Sequence, residues 1–177
     1  MKKFIMGLII GLSVSLGIVT YASNNQTISY FFSQENQKPD VQLVNLINSA
    51  KSTCDISIYS LTKPNIVDAI VKAKKRGVIV RVISDKTQSK GKSQKVALDT
   101  LKIVKIPVKI NKHSGLMHMK DVIIDNSIVT TGSFNYSKAA AENNDEVFVI
   151  IKEKKIAEDF HNEFEKMWND NKRFTDY

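Results

Sequence analysis

The stretch 118–135, HMKDVIIDNSIVTTGSFN, sets His118, Lys120, Asp125, Ser133 and Asn135 among Ile, Val and Met. Apolar runs on either side of Asp125-Asn126-Ser127 predict a β-hairpin that turns at those three residues. Side chains two apart on a strand share a face. His118 and Lys120 then point the same way, as do Ser133 and Asn135 on the returning strand, with Gly132 removing a side chain beside them. An imidazole, an ammonium, a hydroxyl and a carboxamide converging on one spot suit the non-bridging oxygens of a phosphate, with His118 as nucleophile or proton carrier. Asp125 is a candidate to orient that imidazole or balance its charge. The plainer alternative has Asp125 capping the turn while Ser133 and Asn135 satisfy loop backbone.

Other chemistries fit these residues poorly. A metal centre built from His113, His118, Asp121 and Asp125 matches no ligand spacing such as H-E-x-x-H, and Lys120 in its midst repels a cation. The run SKGKS at 89–93 lacks the first glycine of a phosphate-binding loop, because Lys86 stands at that position. Cys54 is the single cysteine, so it forms no internal disulfide and has no second thiol for zinc or redox work. In CDISIYSL it reads as a half-buried free thiol. No metal and no cofactor is expected.

The elements that must position the hairpin follow from periodicity. KPDVQLVNLINSAK places Val41, Leu43, Val44 and Ile47 at helical spacing behind Pro39, a residue suited to a first turn. CDISIYSL reads as a strand, PNIVDAIVKAKKRG as a helix closed by Gly77, and VIVRVISD as another strand. A basic helix in KGKSQKVALDTLKI, a short strand in PVKI, the hairpin and a strand in EVFVII follow. The final helix sets Ile156, Phe160, Phe164, Met167 and Trp168 along one face. The β-α-β order with short connections predicts an α/β fold, a mixed but largely parallel sheet sandwiched between helices.

The chain of 177 residues has the length of about one domain. Lys2 and Lys3 precede the apolar run FIMGLIIGLSVSLGIVTYA, residues 4–22, and a polar stretch follows. That is the pattern of an export signal, with Thr20-Tyr21-Ala22 as an imperfect cleavage site. An uncleaved anchor that associates with the membrane through 4–22 is the alternative, since nineteen residues nearly span a hydrocarbon core. The domain organisation expected is a signal or anchor over 1–22, a linker with a short strand over 23–37, and one domain over 38–177, exported or held outside the cytoplasm. The formal net charge is +8. Residues 72–120 hold fourteen Lys or Arg against Asp85 and Asp99. Such a field attracts polyanions, nucleic acid or an anionic membrane surface, although a solvated lysine-rich face has the same composition.

The order His118-x-Lys120, four residues, Asp125, six residues, Gly132-Ser133-x-Asn135 resembles the HKD signature of the phospholipase D superfamily. TGSFNYSKAAAENNDEVFVI is similar to the continuation found in its short, single-motif bacterial endonuclease branch. A looser likeness runs through STCDISIYSLTKPNIVDAIVKAKKRGVIVRVISD, so that most of 38–170 is covered. The resemblance implies metal-independent phosphodiester cleavage on an α/β/α sandwich. It makes His118 the nucleophile that becomes a phosphohistidine, has Lys120 and Asn135 hold phosphate oxygens, and gives Ser133, with Gly132, a supporting place. In that branch an acid at the start of the next strand hydrogen-bonds the histidine. Glu146 matches it, with Glu142 and Asp145 as neighbours easily confused with it.

In-line displacement needs a general acid facing the nucleophile, and the chain carries one copy of the motif. The resemblance therefore implies a two-fold homodimer with a His118 from each subunit at the axis. His113, beside Lys112 at the groove entrance, and His161, expected on the surface of an acidic helix, are the rival acids. Nucleic acid is the favoured substrate. A phospholipid such as phosphatidylcholine, cleaved to phosphatidic acid, is the alternative, and a non-catalytic nucleic-acid-binding module is a third reading.

Overall fold

The computed structural model describes residues 27–177, so the signal or anchor expected over 1–22 lies outside the described residues. Eight strands form one sheet: β1 Ile28–Phe32, β2 Thr53–Ile58, β3 Ile79–Ser84, β4 Val108–Asn111, β5 Lys120–Ile124, β6 Ile128–Gly132, β7 Val147–Ile151 and β8 Phe174–Asp176. Five helices accompany them: α1 Pro39–Ser49, α2 Pro64–Lys75, α3 Lys92–Ile103, the short α4 Lys138–Glu142, and α5 Lys154–Asn169. The spatial order is β1-β7-β6-β5-β2-β3-β4-β8. The sheet is mixed, as expected, but its parallel part is confined to β2, β3 and β4. The other pairings between the strands of the sheet are antiparallel, and β5, β6 and β7 lie side by side in sequence order.

Side-chain alternation sorts the core into two layers. Ile56, Ile58, Val122 and Ile124 face α1, α2 and α3 and join Leu43, Ile47, Ile70 and Leu98. Ile83, Ile123 and Val129 face the other way, against Phe164, Ala157 and Met167 of α5. The α5 stripe is thus the core face its spacing predicted. Within α1, Leu43, Leu46 and Ile47 are buried while Val41 is exposed. Cys54 is fully buried rather than half-buried, because β2 is a central strand covered on both faces. Burial, helped by Asp55 and Asp125, pushes its thiol well above the ordinary range, so it stays protonated and inert.

The strand expected inside the linker, β1, pairs with β7 as the sheet edge, so the compact domain includes Ile28 rather than starting at residue 38. Ile28, Tyr30 and Phe32 share one exposed face of that edge strand, opposite Ile151, Val149 and Val147. Two elements carry no strong sequence signal: α4, five residues long, and β8, three residues that close the far edge against β4.

α5 is also pinned by charge. Arg81 Nε and Nη2 donate to the two oxygens of buried Asp55, each at 2.8 Å, and Nη2 also reaches Glu165 at 2.6 Å. The guanidinium stacks near the rings of Phe164 and Trp168, at 4.9 and 5.3 Å. His161 belongs to this cluster, with Nδ1 3.2 Å from Asp55 Oδ2. It is half-buried under the helix rather than on the surface, and it is thereby removed from the list of general acids.

The β5–β6 hairpin turns at 125–127 as predicted, with Asp125 and Asn126 at φ 50° and 49° and the Ser127 N–H donating to Ile124 O at 3.0 Å. Asp125, however, orients no imidazole. It lies at the end of β5 opposite His118, where its carboxylate accepts the backbone N–H groups of Lys51, Ser52 and Thr53 at 2.7–3.3 Å. Partial burial acts to raise its pKa, but the three N–H donors and the Lys51 charge outweigh that, and the carboxyl sits below the usual carboxylate range. Asp125 therefore clips the α1–β2 loop to the hairpin. Asp125→Ala is expected to lower stability by about 1–3 kcal/mol, seen as a lower urea midpoint, while leaving the catalytic rate far less affected than His118→Ala does. Because the folded-state pKa is depressed, the stability Asp125 supplies is present above the ordinary carboxylate range and is lost as the pH falls through the folded value.

Candidate active site

The carboxyl ends of β2 and β3, the start of β5 and the end of β6 lie at one end of the sheet. Loops outside strand ends of this kind are where open α/β sheets place ligands. His118 does not sit on β5, as the hairpin pattern suggested; it precedes the strand in an extended segment. It is exposed, while Lys120, the first residue of β5, is buried at 8%. Lys120 Nζ lies 3.2 and 3.3 Å from the two ring nitrogens of His118 and donates to the His118 carbonyl at 2.8 Å. The two side chains thus meet as predicted, one open to solvent and the other behind it.

Tyr59, just past β2, completes this half of the site and was not visible as a site residue in the sequence. Its ring centroid is 4.6 Å from that of His118, and the Lys120 ammonium lies 5.2 Å from the Tyr59 ring centroid. The Tyr59 hydroxyl accepts from Gln88 Nε2 at 2.9 Å. Burial lowers the Lys120 pKa, opposed by the negative charge of Glu146.

A polar network holds these loops. Asp85, fully buried after β3, accepts from the N–H groups of Thr87 and Gln88 through Oδ1, and from Met117 N–H at 3.0 Å through Oδ2. Asn111 accepts from Lys86 N–H and donates to Gly115 O. Gln94 on α3 accepts Leu61 N–H and donates to Tyr59 O and Ser84 Oγ. Asp85, Asn111 and Gln94 are therefore positioning residues. Their only sequence signal is that they are polar side chains at the ends or inner faces of apolar elements.

The returning strand supplies the second half. Gly132 has φ +136°, and a Cβ there would come within 2.2 Å of Val147 O, so no other residue fits. Beyond it the chain runs beside residues 60–63, with Tyr136 N–H donating to Ser60 O and Tyr136 O accepting from Thr62 and Lys63 N–H. Phe134 and Tyr136 are buried, which turns Ser133 and Asn135 toward the opposite side. The Asn135 carboxamide makes no hydrogen bond within the described residues, and its Oδ1 is buried without a partner. Its Nδ2, not the accepting Oδ1, is the group that can donate to a bound oxyanion.

Glu146 accepts a short hydrogen bond from Ser133 Oγ and another from Asn144 Nδ2 at 3.0 Å, rather than holding His118. Ser133 Oγ in turn accepts Val147 N–H at 3.2 Å. Each carboxylate oxygen thus has one partner, Ser133 at the β6 exit or Asn144 on its own loop, and Glu146 reaches the other half of the site through its charge on Lys120. Of the neighbouring acids, Glu142 is taken by Lys63 and Lys138, and Asp145 is exposed on the rim of the cavity beside Glu146. His113 lines the same pocket as His118, with Nδ1 2.7 Å from Ser114 O and its ring edge-on to Phe174.

This geometry yields two tests. Glu146→Gln removes the charge that opposes the lowering of the Lys120 pKa, so the alkaline limb of the kcat/KM profile is expected to move to lower pH. Tyr59→Leu, which deletes the ring beside the ammonium, should move that limb the same way and lower kcat/KM by about tenfold, whereas Tyr59→Phe should leave the limb in place. An unmoved limb in Tyr59→Leu would mean that the ring serves packing alone.

Comparison with known proteins agrees with the residue pattern. The family described as "Cardiolipin synthase, PLD-like domain" matches residues 43–168. A Rickettsia conorii protein named phospholipase D is 36% identical over 67% of this chain and 58% of its own length. A Chlamydomonas reinhardtii protein named mitochondrial cardiolipin hydrolase is 30% identical over 72% of this chain and 56% of its own. The match thus spans little more than half of each of these relatives. The crystal structure of Nuc, a phospholipase D family member from Salmonella typhimurium, superposes with a TM-score of 0.79 at 34% identity, covering 85% of this chain and 97% of that one. NucT from Helicobacter pylori gives a TM-score of 0.71 at 28% identity, over 80% and 94% of the two chains. With its motif residues, its sheet and most of its length accounted for in this way, the chain belongs to the phospholipase D superfamily.

Proposed function

We propose that this protein is a metal-independent phosphodiesterase that cleaves nucleic acid through a phosphohistidine intermediate. The observation that carries the chemistry is the exposed His118 imidazole backed at 3.2 Å by the buried Lys120 ammonium. The ammonium and the Asn135 carboxamide take the non-bridging phosphate oxygens, supplying the charge stabilisation that phosphoryl transfer requires. A His118 ring nitrogen attacks phosphorus, the P–O bond to the leaving strand breaks, and the leaving oxygen takes a proton. Water then attacks the phosphohistidine, giving its proton to the base left by the group that protonated the leaving oxygen, and the P–N bond breaks to free His118. Ser133 and Glu146 hold the β6–β7 side of the site and keep negative charge near Lys120.

The general acid must face His118 across phosphorus; within one subunit His161 is committed to Asp55, and His113 lines the same pocket as His118 itself, with Nδ1 taken by Ser114 O. We therefore assign the acid to His118 of a second subunit related by a two-fold axis. The exposed apolar strip of Ile28, Tyr30 and Phe32, beside the cavity that Phe32 shares with Ser133 and Glu146, supports a face for such a copy. The excess of Lys and Arg over acids between residues 72 and 120 supports a polyanionic substrate. Hydrolysis of a phospholipid is the second reading, favoured by the names of the Rickettsia and Chlamydomonas relatives. Export, or attachment through residues 4–22, is proposed from the sequence alone.

Purified protein offered plasmid DNA and phosphatidylcholine vesicles, both with EDTA, is expected to nick the DNA. His118→Ala is expected to lose at least about 10³-fold in rate, the loss typical of removing a nucleophile. Acid quenching during turnover should trap a phosphoryl adduct on His118. Cleavage of phosphatidylcholine alone would transfer the assignment to the lipid reading, and cleavage abolished by EDTA would remove the mechanism. Sedimentation is expected to show a dimer that Tyr30→Glu/Phe32→Glu dissociates with loss of activity; a fully active monomer would overturn the shared site.

A further inference from the structure

The pocket that contains His118 continues past the groups used above. It has a volume of about 190 Å³ and is lined in part by His113, Arg173 and Phe174. Arg173 enters it from the α5–β8 connection, and its carbonyl accepts Lys112 N–H at 2.8 Å, so Lys112 and Arg173 are held on adjacent strands of chain. The Arg173 guanidinium lies 5.7 Å from the Phe174 ring centroid, and both Arg173 and Lys112 are exposed. Among the described residues neither takes part in an ion pair, whereas Glu163, the acid lining the pocket, is engaged by Lys166 at 3.3 Å.

The wall is built in advance of any ligand. Asn111 and Asp85 hold the 111–117 segment at Gly115 O and Met117 N–H, and Lys86 Nζ donates to His113 O at 2.6 Å. His113 Nδ1 donates to Ser114 O, so Nε2 of the neutral ring is an acceptor, and the cations rather than His113 are the groups that can take phosphate oxygens. One unpaired cation, Arg173, thus shares the pocket with His118, a second, Lys112, is held beside it by the backbone, and neither is needed to hold the phosphate under attack.

We infer that Arg173, with Lys112 beside it, forms a second phosphate subsite, which takes a phosphodiester neighbouring the scissile one in a nucleic-acid strand. This rests on the nucleic-acid reading above and deepens it. A cation without an acidic partner, next to a reactive phosphate site, gains most from a substrate whose charges repeat along a chain. The subsite favours a polymeric phosphodiester over an isolated one, and it adds affinity without base contacts, so it carries no sequence preference.

The test is binding of fluorescent oligothymidylate by the full chain carrying His118→Ala, followed by anisotropy from 50 to 300 mM salt. Adding Arg173→Gln is expected to weaken binding several-fold and reduce the slope of log K against log salt by about 0.7, the value for one phosphate contact on a single strand. Adding Lys112→Gln should do the same, and Arg173→Lys should restore the slope because it keeps the charge. An unchanged slope in Arg173→Gln, or no binding by His118→Ala itself, overturns the subsite. Cleavage of the same strand by protein with His118 intact is scored separately. A strand that is bound with the expected slopes but never cut refutes the nuclease reading and leaves the phosphate contacts standing.

Discussion

A carboxylate with no access to water must find its donors inside the chain, and Asp85 finds three, on two different loops. Two come from the turn after β3 and the third is the N–H of Met117, one residue before His118. Gln88, in that same turn, donates to Tyr59, whose ring packs on His118. One buried charge therefore fixes both the segment that delivers the imidazole and the wall behind it. An exposed side chain on an irregular segment is kept in place by bonds made at the sheet end, where backbone is rigid.

Burial and exposure divide the catalytic work. Lys120 belongs to β5 and is sunk behind His118, so its charge acts through low-dielectric surroundings and its proton is held less tightly than an exposed lysine's. His118 stays exposed, open to an incoming phosphate. Glu146 is tied down by Ser133 and Asn144 and counters the loss of protonation at Lys120 from across the site. The arrangement needs the β6 exit to pass close to β7, which Gly132 alone permits.

The rest of the fold keeps that end of the sheet stiff. Arg81 links β2, β3 and α5 through Asp55 and Glu165, and the aromatic side chains of α5 cover its guanidinium. At the opposite end of β5, Asp125 clips the hairpin to the α1–β2 loop. The residue is part of the motif, but its task is to hold the hairpin that carries Lys120 rather than to touch the chemistry.

Local rules made much of this legible in the sequence. Asp125-Asn126-Ser127 between two apolar runs specifies a turn because Asp and Asn tolerate left-handed backbone, and the α5 stripe specifies a core face because 3.6-residue spacing aligns it. The residue types and intervals from His118 to Asn135 likewise fixed which side chains could meet a phosphate. What the spacing lacks is any record of partners far along the chain. The donors to Asp125 lie at 51–53, the acceptor for Met117 is residue 85, and the carboxylate beside His161 is residue 55. Periodicity likewise does not say that β5 pairs with β2, which is why the sheet is less parallel than its β-α-β opening suggested. Sequence alone determined the local conformations and the chemical inventory, since both depend on near neighbours. Tertiary structure decided which polar groups are buried together, and with that their roles, because burial is a property of the packed chain as a whole.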